Sequence, residues 1–470
     1  MMGCCLLLVT GSVLLLERRS RNFGQATATR RSNELRNIGY AIKNYVYIAL
    51  KLVVATWYYR SGRLSQHVLW LACGGGVAGL LASRALVALA PVAGVVAALA
   101  NPDLRRIWPA YFGNGAAMRA AALVVFLLLT CLYTSEWAVW RHELFRSLPW
   151  LGVPLAFALA VPLSGRQRRA VGALFVLGTA AVGLATLGQY LRDPAAANAA
   201  IGIGQNMQGS TGLFHITFGL MLALSVFGGL LLQAEARVGR VLRGALGVAV
   251  AAAVAVLHIL AYRTGLLVLY VGLLAYAGWL LGQRHWLLGL GLALGLALGP
   301  WLAYRSLESV RQRVGATLWD VRQFTEGRDI NSYSLAQRLA AAETALVIIR
   351  QHWVLGVAPA DAHAAMLAQY AWRDYGLRPA NQVDVHNQYL ETLLGGGVLG
   401  LALWLAVAFG PLARRPLRHD AYVVFFILGQ ATVMPIDNIL SLQSGLNLFV
   451  FGYGFLVVAG ERRWRQAELP

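Results

Sequence analysis

From residue 64 onward the chain is built of apolar runs, many close to the ~20 residues that cross a bilayer as one helix, separated by loops that hold most of the charge. No other feature restricts the fold so severely. Lipid offers no hydrogen bonds to backbone groups, so each run must close its own as a helix. The expected fold is therefore an all-α polytopic membrane protein. Twelve spans are predicted, at 67–82, 85–100, 119–133, 147–163, 170–191, 210–233, 244–262, 264–282, 286–303, 387–410, 421–436 and 444–460. The composition excludes the ordinary soluble enzyme: of 470 residues, 58% are hydrophobic and only 13% charged, against about 25% charged in globular chains.

The loops set the expected orientation. One alternating set (60–66, 101–119, 166–169, 234–243, 283–285, 411–420, 461–470) holds 18 Arg, and the short loops of the opposite set hold 5. Positive charge stays on the cytoplasmic side. The first set is thus expected in the cytoplasm, and a bacterial inner membrane with the second set in the periplasm is the working arrangement. The net charge of +20 is then read as loops facing anionic membrane lipids, with no nucleic-acid partner. Residues 1–63 are expected to form a cytoplasmic or interfacial extension. Their basic stretch follows the apolar run instead of preceding it, unlike a signal peptide. The remaining divisions are 64–303 for spans one to nine, 304–386 for an outer segment, 387–460 for the last three spans and 461–470 for a cytoplasmic tail.

Segment 304–386 differs from its surroundings, with 8 acids and 9 bases in 83 residues. Leu335, Leu339, Ala342, Leu346, Ile349 and Trp353 fall on one helical stripe. A break at Gly356–Pro359 precedes a second helical stretch around 360–375. The prediction is a helical periplasmic cap between the ninth and tenth spans.

Four places can carry chemistry. Arg263 interrupts an apolar stretch within Arg263-Thr264-Gly265, on the side where positive charge is disfavoured; it either snorkels to headgroups or binds an anion. Arg338 sits on the predicted cap helix, with Arg322 and Arg328 as weaker basic candidates nearby. His386, in Asp384-Val-His386-Asn387, stands at the outer end of a membrane helix, where an imidazole suits general-base work. Asp437, at the outer edge of another span, needs a partner such as His386 or an arginine. Asp361-Ala-His363 and Asp384-Val-His386 make only a weak metal pattern, so no metal is expected. No phosphate-binding Gly loop or dinucleotide fingerprint occurs, so no nucleotide cofactor is expected either.

Taken together, these segments resemble the O-antigen ligase superfamily, which comprises the WaaL ligases, Wzy polymerases and protein O-oligosaccharyltransferases. His386-Asn387-Gln-Tyr-Leu390 running into Gly395-Gly-Gly397 looks like the family's His-Asn-x-x-Leu segment. Arg338-Leu followed by Trp353-Val-Leu-Gly356-Val, and the turn at Arg263-Thr-Gly265, match in order and spacing over roughly 64–460. The resemblance implies a GT-C-like bundle and a glycosyltransferase that moves a polysaccharide from an undecaprenyl diphosphate carrier to the lipid A–core oligosaccharide at the periplasmic face. It assigns Arg263 and Arg338 to the diphosphate and His386 to the acceptor hydroxyl. Asp437, Asn387 and Arg328 are assigned to substrate binding. An O-antigen polymerase, a protein O-oligosaccharyltransferase and, more distantly, a lipid-linked glycan transporter are the alternatives.

Overall fold

The computed structural model describes residues 56–202, 207–373 and 375–468, together with Tyr40, Asn44, Tyr47 and Lys51. The chain divides into two compact units, Met1–Ser61 and Gly62–Pro470. Most of the extension expected over 1–63 lies outside the described residues.

Among the described residues of the larger unit there are helices and no strands. In chain order they are α1 (Arg63–Ala82), α2 (Arg84–Leu99), α3 (Leu104–Gly113), α4 (Gly115–Leu129), α5 (Trp137–Ser147), α6 (Pro149–Leu159), α7 (Gly165–Arg192) and α8 (Pro194–Gly202). Then come α9 (His215–Ala234), α10 (Arg240–Ile259), α11 (Arg263–Gly282), α12 (Trp286–Ser306), α13 (Glu308–Thr325), α14 (Ser334–Gln351) and α15 (Ala362–Trp372). The last group is α16 (Gln388–Phe409), α17 (Ala421–Val433), α18 (Gln443–Gly452) and α19 (Ala459–Glu468), with a π-helical stretch, Tyr453–Val458, joining α18 to α19.

Nine helices among the described residues are long and apolar enough to cross a membrane, and the protein is a multi-pass membrane protein. The expected twelve spans each contain a helix, but three of these helices are short. α2 and α17 fall below the length of a full span. α6 has 11 residues between Pro149 at its start and an extended Ala160, a length of about 16 Å against a hydrocarbon core of ~30 Å.

Polar contacts sort the helix ends into two groups. In one, Ser65 Oγ donates to Ala97 O at 2.6 Å and accepts from Val161 N at 2.9 Å, and Asn101 Nδ2 donates to Leu159 O at 2.6 Å. There also the fully buried Glu461 carboxylate accepts from Gly115 N and Ala116 N, both at 2.9 Å. A carboxylate at a helix N-terminus meets both the free amides and the positive dipole end, so it ties α19 to α4. Loops from the Arg-rich set meet in this group. In the other, Thr211 Oγ1 donates to Leu81 O at 2.6 Å, Ser309 Oγ to Ile259 O at 2.7 Å, and Gln388 N to Met434 O at 2.8 Å. Segment 304–386 attaches to this second end. Besides the predicted α14 and α15 it contains α13, which the apolar pattern does not reveal.

Two close approaches hold α11 and α16 in place. Gly265 on α11 lies so near Gly219 on α9 that a Cβ would stand 2.6 Å from Gly219 O. Small residues allow this packing where lipid supplies no hydrophobic drive between helices. Gly397 breaks α16 with φ 59°. There the helix exchanges hydrogen bonds with the turn after α14: Val357 N donates to Leu394 O at 3.0 Å and Val398 N to Trp353 O at 2.8 Å. A Cβ on Gly397 would stand 2.2 Å from Val354 O. The cap is thus stitched into a membrane helix by backbone.

Candidate active site

The pair His386–Asp437 anchors the site. Asn387 caps α16, its Oδ1 accepting from Tyr389 N at 3.0 Å and Leu390 N at 3.1 Å. Its side-chain oxygen thereby caps the helix. Just ahead of this cap, His386 Nδ1 lies 2.9 Å from Asp437 Oδ1. Asp437 belongs to the turn after α17, which is laced to the first turns of α16: Leu440 N donates to Gln388 Oε1 at 3.0 Å and Ser441 Oγ to Glu391 Oε1 at 2.7 Å. Asp437 is 2% exposed. A carboxylate oxygen facing Nδ1 selects, for a neutral imidazole, the tautomer with the proton on Nδ1 and the lone pair on Nε2.

Arg338 adjoins this pair, and Arg263 and Arg313 follow from it as a chain of neighbouring charges. Arg338, from α14, points Nη1 at Ile436 O at a long 3.4 Å. It is half-buried; burial lowers its guanidinium below the usual value and the Asp437 carboxylate opposes that fall. Arg263 opens α11 after a turn in which Ala261 takes φ 48°, an uncommon conformation for a residue with a Cβ. Its Nη1 donates to Thr317 Oγ1 on α13 at 2.7 Å, and Thr317 in turn donates to Arg313 O at 2.8 Å. The Arg338 guanidinium acts on Arg263 as a like charge. Arg313 is 3% exposed; burial, with the Arg263 charge beside it, brings it down to about 10. His215, at the start of α9, lies within electrostatic reach of Arg338, Arg313, Asp437 and Arg263. Segments distant along the chain thus deliver Arg263, Arg313, Arg338, His215 and the His386–Asp437 pair to one end of the bundle.

Arg328 is ion-paired with Glu326 at 2.6 Å on an exposed turn, and Arg322 pairs with the same carboxylate. The structure shows no contact of either with the cluster. Sequence alone does not single out Arg313 or His215. On α13 nothing in the pattern separates Arg313, which turns inward, from Arg311, which pairs with Glu308 at the surface. Nor does a histidine opening an apolar run announce a role.

The acidic and histidine residues of the weak metal pattern form separate pairs. Asp361 Oδ1 accepts from Ser135 N at 2.9 Å, and His363 Nδ1 lies 2.7 Å from Asp384 Oδ1. A cavity of about 360 Å³ is lined by Val385 and Asn438, the sequence neighbours of His386 and Asp437, and by Glu391, Arg146 and His363.

A multi-pass helical bundle presenting a cationic cluster beside an imidazole–carboxylate pair defines a class of membrane protein equipped to hold an anionic substrate and move a proton. A family model described as O-antigen ligase matches residues 248–405, from α10 into α16, and contains Arg263, Arg313, Arg338 and His386. Over this segment, about a third of its length, the chain is similar to the O-antigen ligase superfamily. Asp437 and His215 lie outside the matched residues. No curated protein matches the chain.

Proposed function

We propose that the protein is an O-antigen ligase that transfers a polysaccharide from undecaprenyl diphosphate to the lipid A–core oligosaccharide at the periplasmic face of a bacterial inner membrane. The observation that carries this reading is the gathering of Arg263, Arg313 and Arg338 at one end of the bundle with His386–Asp437. In this reading the bundle crosses the membrane twelve times, and segment 304–386 lies in the periplasm.

The diphosphate ester of the donor is already activated, so the reaction needs charge stabilisation and a base. The guanidinium groups offer planar forks of donors that match phosphate oxygens and stay charged at neutral pH. They would hold the diphosphate and stabilise the negative charge that grows as the anomeric C–O bond breaks. The acceptor hydroxyl oxygen attacks the anomeric carbon from the opposite face, its proton passes to His386 Nε2, and undecaprenyl diphosphate leaves. Asp437 holds the imidazole in the required tautomer and stabilises the imidazolium that forms. Direct displacement inverts the anomeric centre. The three guanidinium groups take the electrophilic part, so the reaction is proposed to need no metal. The 360 Å³ cavity beside α16 is of a size to take acceptor sugars.

Transfer between a defined carrier-linked glycan and purified acceptor lipid, in detergent with chelator present, tests the reading. Product formation supports it. Elongation of carrier-linked glycan without acceptor glycosylation would instead show a polymerase, and product with a peptide acceptor a protein glycosyltransferase. A reaction that proceeds without a sealed membrane eliminates the transporter.

A further inference from the structure

At the Arg-rich end of the bundle a second cavity, of about 310 Å³, opens among α1, α7, α9, α17 and the α18–α19 region. Its body is apolar, with Phe175, Phe227 and Phe455 in its wall, and its rim is cationic, with Arg168, Arg169 and Arg463. The rim charges are placed against local electrostatics. α7 begins Gly165-Arg-Gln-Arg-Arg with no acidic residue in its first turn, although the positive end of a helix dipole favours anions there. Arg168 and Arg463 act on one another as like charges, and Arg168 Nε is buried without a hydrogen-bond partner. Of the neighbouring carboxylates, Glu235 accepts from Tyr422 Oη at 2.9 Å and pairs with Arg169 at 3.7 Å, while Asp420 accepts from Tyr422 N at 3.0 Å and acts on Arg463 as an opposite charge.

An anion beside Arg168 and Arg463 would relieve this arrangement, and the phenylalanine-walled space beneath matches an acyl chain. We infer that the cavity binds an anionic phospholipid, its phosphate against Arg168 and Arg463 and one acyl chain inside. This site stands apart from the glycan-transfer reading and does not depend on it.

The test uses the full chain purified in neutral detergent and native mass spectrometry. Phosphatidylglycerol and phosphatidylcholine of equal chain length are compared, with glycerol phosphate as the headgroup alone. The wild-type chain should retain phosphatidylglycerol preferentially. Arg168→Gln with Arg463→Gln should lower that affinity on the order of tenfold, toward the phosphatidylcholine level. Arg168→Lys with Arg463→Lys should keep the preference. Gly228→Leu should weaken both lipids, because Gly228 lines the cavity and a Cβ there meets only Val176 Cγ2, at 3.7 Å. Equal retention of the two lipids by the wild-type chain overturns the inference, as does an unchanged Gly228→Leu variant or glycerol phosphate binding as tightly as the lipid. If the double Gln variant fails to fold, the Lys and Leu variants decide the matter.

Discussion

Arg313 is nearly inaccessible to solvent, and the Arg263 guanidinium is among the charges that act on it. Asp437 beside Arg338 and Asp320 beside Arg263 offset part of the cost of burying these charges; the arginines are assigned to the diphosphate because guanidinium forks match phosphate oxygens. Arg263→Ala, Arg313→Ala or Arg338→Ala should each lower transfer on the order of 10²–10³-fold with expression unchanged, measured as initial rates on purified protein. Arg338→Lys is a sharper case. Burial lowers the charge-carrying group at this position, and a lysine ammonium starts well below a guanidinium. A base with a depressed value is charged below that value and loses its charge as pH rises through it. The Lys variant should therefore lose activity at a lower pH than wild type does. Parallel profiles would remove Arg338 from the diphosphate. Asp437→Asn should slow transfer about 10–100-fold by freeing the imidazole tautomer, and an unaffected rate would separate Asp437 from His386.

Helices are most legible in the sequence where composition alone decides: an apolar run in lipid has no alternative to a helix. The short α6 shows the limit, since residues 147–163 have the composition of a span while the prolines at 149 and 162 leave a helix of 11 residues. The cap is harder. The stripe that announces α14 shares only Ile349 with the face this helix buries, which is mostly alanine, whereas in α13 the stripe Val310, Val314, Leu318 and Val321 is interleaved with three arginines. Arg263, Arg338, His386 and Asp437 stand out because each interrupts or ends an apolar stretch or a stripe. Arg313 lies among other arginines and only tertiary packing selects it. The break in α16 is equally hidden, because three consecutive glycines in a membrane helix usually signal close packing and here one of them accepts a turn of the cap. Gly397→Ala should destabilise the folded chain by about 1–3 kcal/mol from a backbone conformation open essentially to glycine alone, and by more from the clash with Val354 O. A thermal melt in detergent checks it, and an unchanged midpoint would mean the cap and α16 are not stitched as described.

Across the whole molecule, the two helix-end groups divide the chemistry. One end collects the arginine-rich loops and the second cavity; the other collects the cap, the arginine cluster and the imidazole–carboxylate pair. The proposed active site draws on α9, α11, α13, α14, α16 and the turn after α17, so it exists only when these elements are assembled together. Separating binding from turnover tests this most directly. With a fluorescent undecaprenyl diphosphate glycan titrated against purified variants, His386→Ala should bind donor as wild type does yet transfer it 10²–10⁴-fold more slowly. Arg263→Ala, Arg313→Ala and Arg338→Ala should lose donor affinity. Arginine variants that bind donor normally, or a His386→Ala variant that cannot bind it, would contradict the account.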